Sequence, residues 1–247
     1  MRDECWWEIV EDQNNKTYMS ETIENLLQNS NLPGPQGNLE LMYSFSKKAS
    51  DGEVEECLSY ITDYLQNSPE EFVAMCGIVG YAWINKENLE KTLAFLRKFA
   101  SHRSWRIREA VAMAIQEITG NRLTEIINEL SGWLSGNEFE KRAVVAALCE
   151  PKLLKDKTKA SEVFSILTAI TLNSFPEDGK LSDGQISLRK GLGYGWSVAV
   201  VAFPDEGKRL FENLAGNSNR HIRRIIKENL KKNRLSVMDR TWVESFA

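Results

Sequence analysis

The stretch SWRIREAVAMAIQEI, residues 104–118, decides how the rest of the chain is read. Its apolar residues Ile107, Val111, Ala114, Ile115 and Ile118 recur at steps of three and four, the spacing of one face of an α-helix. Ser104 stands just before the pattern and supplies an N-cap. Between residues 121 and 134, Leu123, Ile126, Ile127, Leu130 and Leu134 keep the same step. Residues 158–172 add Val163, Phe164, Ile166, Leu167 and Ile170, with almost none of the alternation a strand requires. Breakers fall between these segments, at Gly120-Asn121, Ser135-Gly136-Asn137, Ser174-Phe175-Pro176, Phe203-Pro204-Asp205 and Gly216-Asn217. Asp205-Glu206, after Pro204, opens a further helix. The pattern predicts about a dozen short helices with tight connectors and no strand.

Working outward, the helical blocks repeat. Ile107-Arg108-Glu109-Ala110-Val111 lines up with Glu140-Lys141-Arg142-Ala143-Val144 at a shift of 33 residues. Leu188-Arg189-Lys190-Gly191-Leu192 lines up with Ile222-Arg223-Arg224-Ile225-Ile226 at a shift of 34. The second and third blocks are 48 residues apart, which leaves room for a polar insertion around Asn173–Gln185. Two helices per unit at such a period describe paired antiparallel helices stacked as a solenoid. The expected fold is all-α, a right-handed α-α superhelix, in one domain over residues 1–247. Small residues such as Ala110, Ala114, Ala143, Ala146, Ala147, Gly191 and Gly195 suit close contact between layers. The N-terminal third is less regular. Helices are expected at 20–29 and 54–66, with a rigid turn at Asn31–Gly37, and the clearer repeats occupy 99–240.

Composition sets limits on function. Hydrophobic residues make up 42% and charged residues 27% of 247, which is the make-up of a globular chain. No apolar run is long enough for a membrane span. Met1–Trp7 is acidic and lacks the layout of a signal peptide. Cys5, Cys57, Cys76 and Cys149 lie far apart without a C-x-x-C pair, so four free thiols in a reducing, cytoplasmic monomer are expected. With only His102 and His221 present, a histidine-rich metal site is excluded; no metal and no cofactor is expected. Both histidines read as ordinary surface residues. Net charge is −4 overall but uneven. Residues 1–98 hold 8 basic and 17 acidic side chains, whereas 189–240 hold 12 basic and 5 acidic. That asymmetry points to a basic binding surface near the C-terminal end, or to a solvated helix face.

Nucleotide signatures are missing. There is no P-loop, and Gly191-x-Gly193-x-Gly195 sits inside a helical pattern, where it reads as a packing feature. No G-x-S-x-G elbow occurs, and neither histidine has a nucleophile partner. Each repeat block instead begins with basic residues. A binding scaffold would present Arg108, Lys141, Arg142, Arg189, Lys190, Arg223 and Arg224 along its concave face to an acidic protein or peptide, or to DNA.

Residues 105–154 and 188–234 resemble the HEAT-like-repeat superfamily that contains the bacterial alkylpurine DNA glycosylases. Trp105-Arg106-Ile107-Arg108-Glu109-Ala110-Val111-Ala112-Met113-Ala114 resembles one branch of HEAT-repeat proteins more closely still. So do Ala147-Leu148-Cys149-Glu150-Pro151-Lys152-Leu153-Leu154 and Arg189-Lys190-Gly191-Leu192-Gly193-Tyr194-Gly195-Trp196-Ser197-Val198. Leu32–Leu41, LPGPQGNLEL, extends the likeness to about residues 30–235. The resemblance implies the fold and carries no activity from that branch. The glycosylase comparison implies an alternative in which Trp105 and Glu109, four residues apart on one helix face, share a cleft with Arg142 and Trp196. Glu109 would then stabilise the cationic transition state, the indoles would contact the nucleotide and Arg142 a phosphate. Glu109 stands where the best-matching enzymes have Asp, although another glycosylase branch uses Glu. On the alternative structural reading, Trp105 seals a gap between repeats and Glu109 pairs with Arg108, Lys141 or Arg142.

Overall fold

The computed structural model describes residues 20–246; the reading of Met1–Trp7 and of Cys5 lies outside them. The described residues form an all-helical protein. The first elements are α1 (Glu21–Gln28), α2 (Leu39–Ser46), α3 (Asp51–Ser59), α4 (Pro69–Ile84) and α5 (Leu89–Arg97). Then come α6 (Trp105–Thr119), α7 (Leu123–Leu130), a 3-10 turn (Ser131–Trp133), α8 (Glu138–Leu148) and α9 (Lys157–Asn173). The chain continues with α10 (Asp183–Ala202), α11 (Pro204–Ala215), α12 (Arg220–Leu230), α13 (Asn233–Met238) and α14 (Arg240–Glu244).

Local chemistry sets the helix starts. Most of these helices begin at a Ser, Asn or Asp whose side chain accepts a backbone N–H of the first turn, as Ser104 does from Arg106 and Ile107. Ser50 with Glu53, and Ser182 with Gln185, form capping boxes. Those two boxes account for departures from the sequence reading. The expected helix over 54–66 runs from Asp51 to Ser59, because Ser50 starts it early, and the next helix starts afresh at Ser68-Pro69. The polar insertion ends at Ser182, so α10 already includes Asp183–Gln185. The pattern over 121–134 divides into α7 and the 3-10 turn, which buries Trp133.

Helices α4, α6, α8, α10 and α12 pack side by side in that order, and α1, α2 and α3 pack against α4. The intervening helices turn back on this row: α5 packs on α4, α9 and α11 on α10, and α5 also meets α7. The repeat shift read from the sequence reappears as the register between neighbours. Arg142 on α8 bonds Glu109 on α6, 33 residues earlier, and Lys152, in the turn after α8, lies 2.9 Å from Glu117 of α6. Asn229 on α12 donates to the Leu192 carbonyl at 2.9 Å and accepts from the Ser197 N–H at 2.8 Å. Gln116 on α6 also donates to the Ala146 carbonyl on α8 at 2.9 Å, and Arg189 meets His221 at 3.1 Å earlier on α10 and α12. Early turns thus face early turns, and α6 runs parallel to α8 and α10 to α12.

The glycines of α10 are where its neighbours come close. A Cβ at Gly195 would stand 2.9 Å from Cys149 Sγ on α8, and one at Gly193 would stand 3.3 Å from Glu228 Cβ on α12. This is inter-helix packing rather than a phosphate loop. Cys57, Cys76 and Cys149 are buried and free. Burial pushes the thiols of Cys57 and Cys149 up to about 12 and that of Cys76 well above its ordinary value. All three should therefore resist a thiol reagent in the native protein and react fully in denaturant, with no reductant needed. Fast native labelling at any of the three would contradict this packing. No described helix is long and apolar enough to cross a membrane.

Candidate ligand-binding cleft

The parallel faces of α6, α8 and α10 line a cleft of about 1200 Å³, closed at one side by α2 and the Pro35–Gly37 turn. Each helix contributes residues at helical spacing: Trp105, Glu109 and Gln116 from α6; Phe139, Arg142 and Cys149 from α8; Lys190 and Tyr194 from α10.

Trp105 is 53% exposed at the mouth, an unusual place for an indole. The Arg106 guanidinium lies 4.5 Å from its ring centre. Arg106 is itself buried, donating to Glu71 at 3.3 Å and to the Gly34 carbonyl at 2.6 Å. Glu71 also accepts from Ser104 Oγ and from the Asn67 N–H at 2.9 Å. One buried ion pair thus ties the start of α4, the start of α6 and the turn that walls the cleft.

Arg108 stacks over Phe139 at 4.7 Å and donates to the carbonyls of His102 and Arg103. Arg142 donates to Glu109. Burial and the positive charge of Arg142 lower the Arg108 pKa from its usual value, with Glu109 partly offsetting them. Glu109 is thus paired with Arg142, and Arg108 is held by backbone carbonyls and the Phe139 ring without a carboxylate partner. Helix α6 has no acid in its first turn, where the helix dipole favours one. At the other end of the cleft, burial and the charges of Glu117, Glu150 and Glu109 push the Tyr43 hydroxyl up to about 12, so it stays protonated. Among the described residues no group of His, Cys, Asp or Glu is placed to hold a metal ion.

The expected site residues divide. Trp105, Arg108, Glu109, Arg142 and Lys190 meet in the cleft. Lys141 is half-buried on α8 and lies off the cleft. Arg189 turns to His221, at 3.1 Å. Arg223 and Arg224 line a shallow groove on α12 with Arg220, Lys227, Glu228 and Lys231. The expected single stripe is therefore a cleft and a separate basic ridge. Trp196 does not reach the cleft. It is 0% exposed, packed between Phe164 and Phe211, with its Nε1 donating to Thr171 Oγ1 at 3.0 Å. The exposed aromatic of that helix is Tyr194, 45% exposed, whose hydroxyl accepts from Arg234 at 2.7 Å. Phe139, Tyr43 and Tyr194 were not among the expected residues. Phe139 lies three residues before Arg142 on one helix, a same-face spacing that the sequence does contain.

Comparison with known proteins finds no family model, no curated protein and no solved structure that matches this chain.

Proposed function

We propose that the chain is a HEAT-like helical-repeat scaffold, a right-handed superhelix, that binds an acidic polypeptide segment in the cleft between α6, α8 and α10. The observation that carries this reading is Arg108, which has no carboxylate partner, lining one cleft with Arg142, Lys190 and an exposed Trp105. The cleft is also lined by Glu150 and Asp183, so the acid is expected at the Arg108–Arg142–Lys190 side, where it meets Arg108. The aromatic walls at Trp105, Phe139 and Tyr194 supply apolar area. A volume of about 1200 Å³ is above the roughly 300–1,000 Å³ of small-molecule pockets, which suits a segment of chain. In this reading the protein works as a monomer in the cytoplasm, without a cofactor and without catalysis.

The test is anisotropy of fluorescein-labelled polyglutamate, with a labelled DNA duplex as the second arm. Wild type should bind polyglutamate more tightly than the duplex, and binding should weaken with salt as exposed charges are screened. Lys190→Gln should weaken it without loss of stability, since Lys190 makes no hydrogen bond or ion pair among the described residues. Arg108→Gln with Arg142→Gln should weaken it by about tenfold or more, equivalent to roughly 1.4 kcal/mol. Equal binding by the variants would remove the cleft from the account.

A second reading is favoured by the meeting of Trp105, Glu109 and Arg142 in one cleft: excision of alkylated purines from DNA. The burial of Trp196 removes its second indole, and Arg142 already occupies Glu109. Release of methylated purines from alkylated DNA should be absent in wild type. Release that is lost in Glu109→Gln would establish the enzymatic reading instead.

A further inference from the structure

His221, expected at the surface, is 6% exposed at the start of α12, with its ring centre 6.2 Å from that of Phe175. Both ring nitrogens face arginines. Arg189 Nη1 lies 3.1 Å from Nδ1, and Arg220 Nε lies 3.3 Å from Nε2. A guanidinium has only donors. A neutral imidazole accepts at one nitrogen and carries N–H on the other, so one of these two contacts sets donor against donor. Protonating the ring makes both contacts donor against donor. Accordingly, burial, then Arg220 and Arg189, hold His221 below the ordinary histidine value. Arg189 is lowered by its own burial and by the charges of Arg224 and Arg220.

No carboxylate pairs with Arg189 or Arg220 among the described residues, and Glu228 partly offsets the positive charge around Arg189. Glu228 of α12 lies 3.0 Å from Lys231 and 3.9 Å from Arg224, and touches neither Arg189 nor Arg220. Glu177 and Asp178, in the loop before α10, make no ion pair among the described residues. Arg220 is held to that loop by donation to the Gly179 carbonyl. Arg189 and Arg220 are thus fixed on α10, α12 and the loop with a mismatched hydrogen bond. Arg224, four residues after Arg220 and lining one groove with it, adds a third positive charge that Glu228 meets only at 3.9 Å.

We propose that Arg189, Arg220 and Arg224, beside His221, form a binding site for a phosphate group. A phosphate dianion matches a cluster of three cations better than a single carboxylate does, and its oxygens accept the forked donors that the imidazole cannot. The group can arrive as free inorganic phosphate or as a phosphorylated side chain. None of these four residues lines the cleft, so the proposal stands whether or not the cleft binds an acidic segment.

The experiment is NMR titration of the His221 ring with inorganic phosphate and, separately, with O-phosphoserine. Only His102 and His221 are present, so one substitution assigns the signals. Phosphate should raise the His221 pKa by about one unit or more, the usual effect of an opposite charge brought close. Arg189→Gln should abolish the rise. Arg224→Gln, a change at an exposed side chain, should weaken phosphate binding several-fold with an unchanged thermal midpoint. Tighter binding of O-phosphoserine identifies a phosphorylated ligand, and equal binding identifies the free anion; both support the site. An equal rise with acetate or chloride at matched ionic strength would mean screening or an adventitious ion only. That outcome, or no rise at all, would overturn the proposal.

Discussion

Replacing Glu71 with alanine should destabilise the protein by roughly 3–5 kcal/mol, the cost of breaking a buried pair from one side. Glu71 and Arg106 are 1% and 5% exposed, so neither charge can be satisfied by water where it stands. Without the carboxylate, the Arg106 guanidinium keeps only the Gly34 carbonyl as an acceptor, beside the Trp105 ring, and Ser104 Oγ and the Asn67 N–H each lose an acceptor. Urea unfolding of the variant measures the loss directly. Replacing both partners at once, with Glu71→Leu and Arg106→Met, should recover part of it, because no charge is then left buried. A single-variant loss below about 1 kcal/mol would mean that the pair does not hold α4, α6 and the Pro35–Gly37 turn together.

The two tryptophans of the glycosylase comparison should behave in opposite ways. Trp196→Ala empties a site packed by Phe164 and Phe211 and strands Thr171 Oγ1, so a loss of about 3–5 kcal/mol is expected. Trp105→Ala removes an exposed ring and one cation–π contact, so its cost should stay within about 1 kcal/mol. Polyglutamate binding should fall for Trp105→Ala. Trp196→Phe, which keeps an aromatic in the core, should leave that binding unchanged. Thermal melts and anisotropy on the same three variants check both halves.

How much of this was legible depends on which faces of a helix are buried. Helix α6 announced itself because one face is apolar and the other is not, and the repeat shift of 33 became the Glu109–Arg142 separation. Helix α4 gave no such signal. Residues 71–80 are buried throughout, so no polar face exists to mark a period, and Glu71 looks like any helix-start acid. The burial of Trp196 is legible in the helical spacing of α10. Leu188, Leu192, Trp196 and Ala199 form one buried stripe of α10, while Lys190 and Tyr194 lie on another face. His221 joins Ile225 and Asn229 in the same way on α12, where the surrounding basic residues hid it. The Arg106–Gly34 contact spans 72 residues, and no local pattern carries such a pairing. Nor does spacing show which basic residues share a cleft, since that depends on how neighbouring helices meet.

An acidic segment bound as proposed enters the cleft at Trp105. The chain has seven tryptophans, whose indole N–H signals separate in a nitrogen-15 correlation spectrum. Titration with unlabelled polyglutamate should move the Trp105 indole signal progressively to saturation while the Trp196 signal, buried against Thr171, stays in place. An unmoved Trp105 signal at concentrations where anisotropy reports full binding would place the ligand elsewhere and contradict the account.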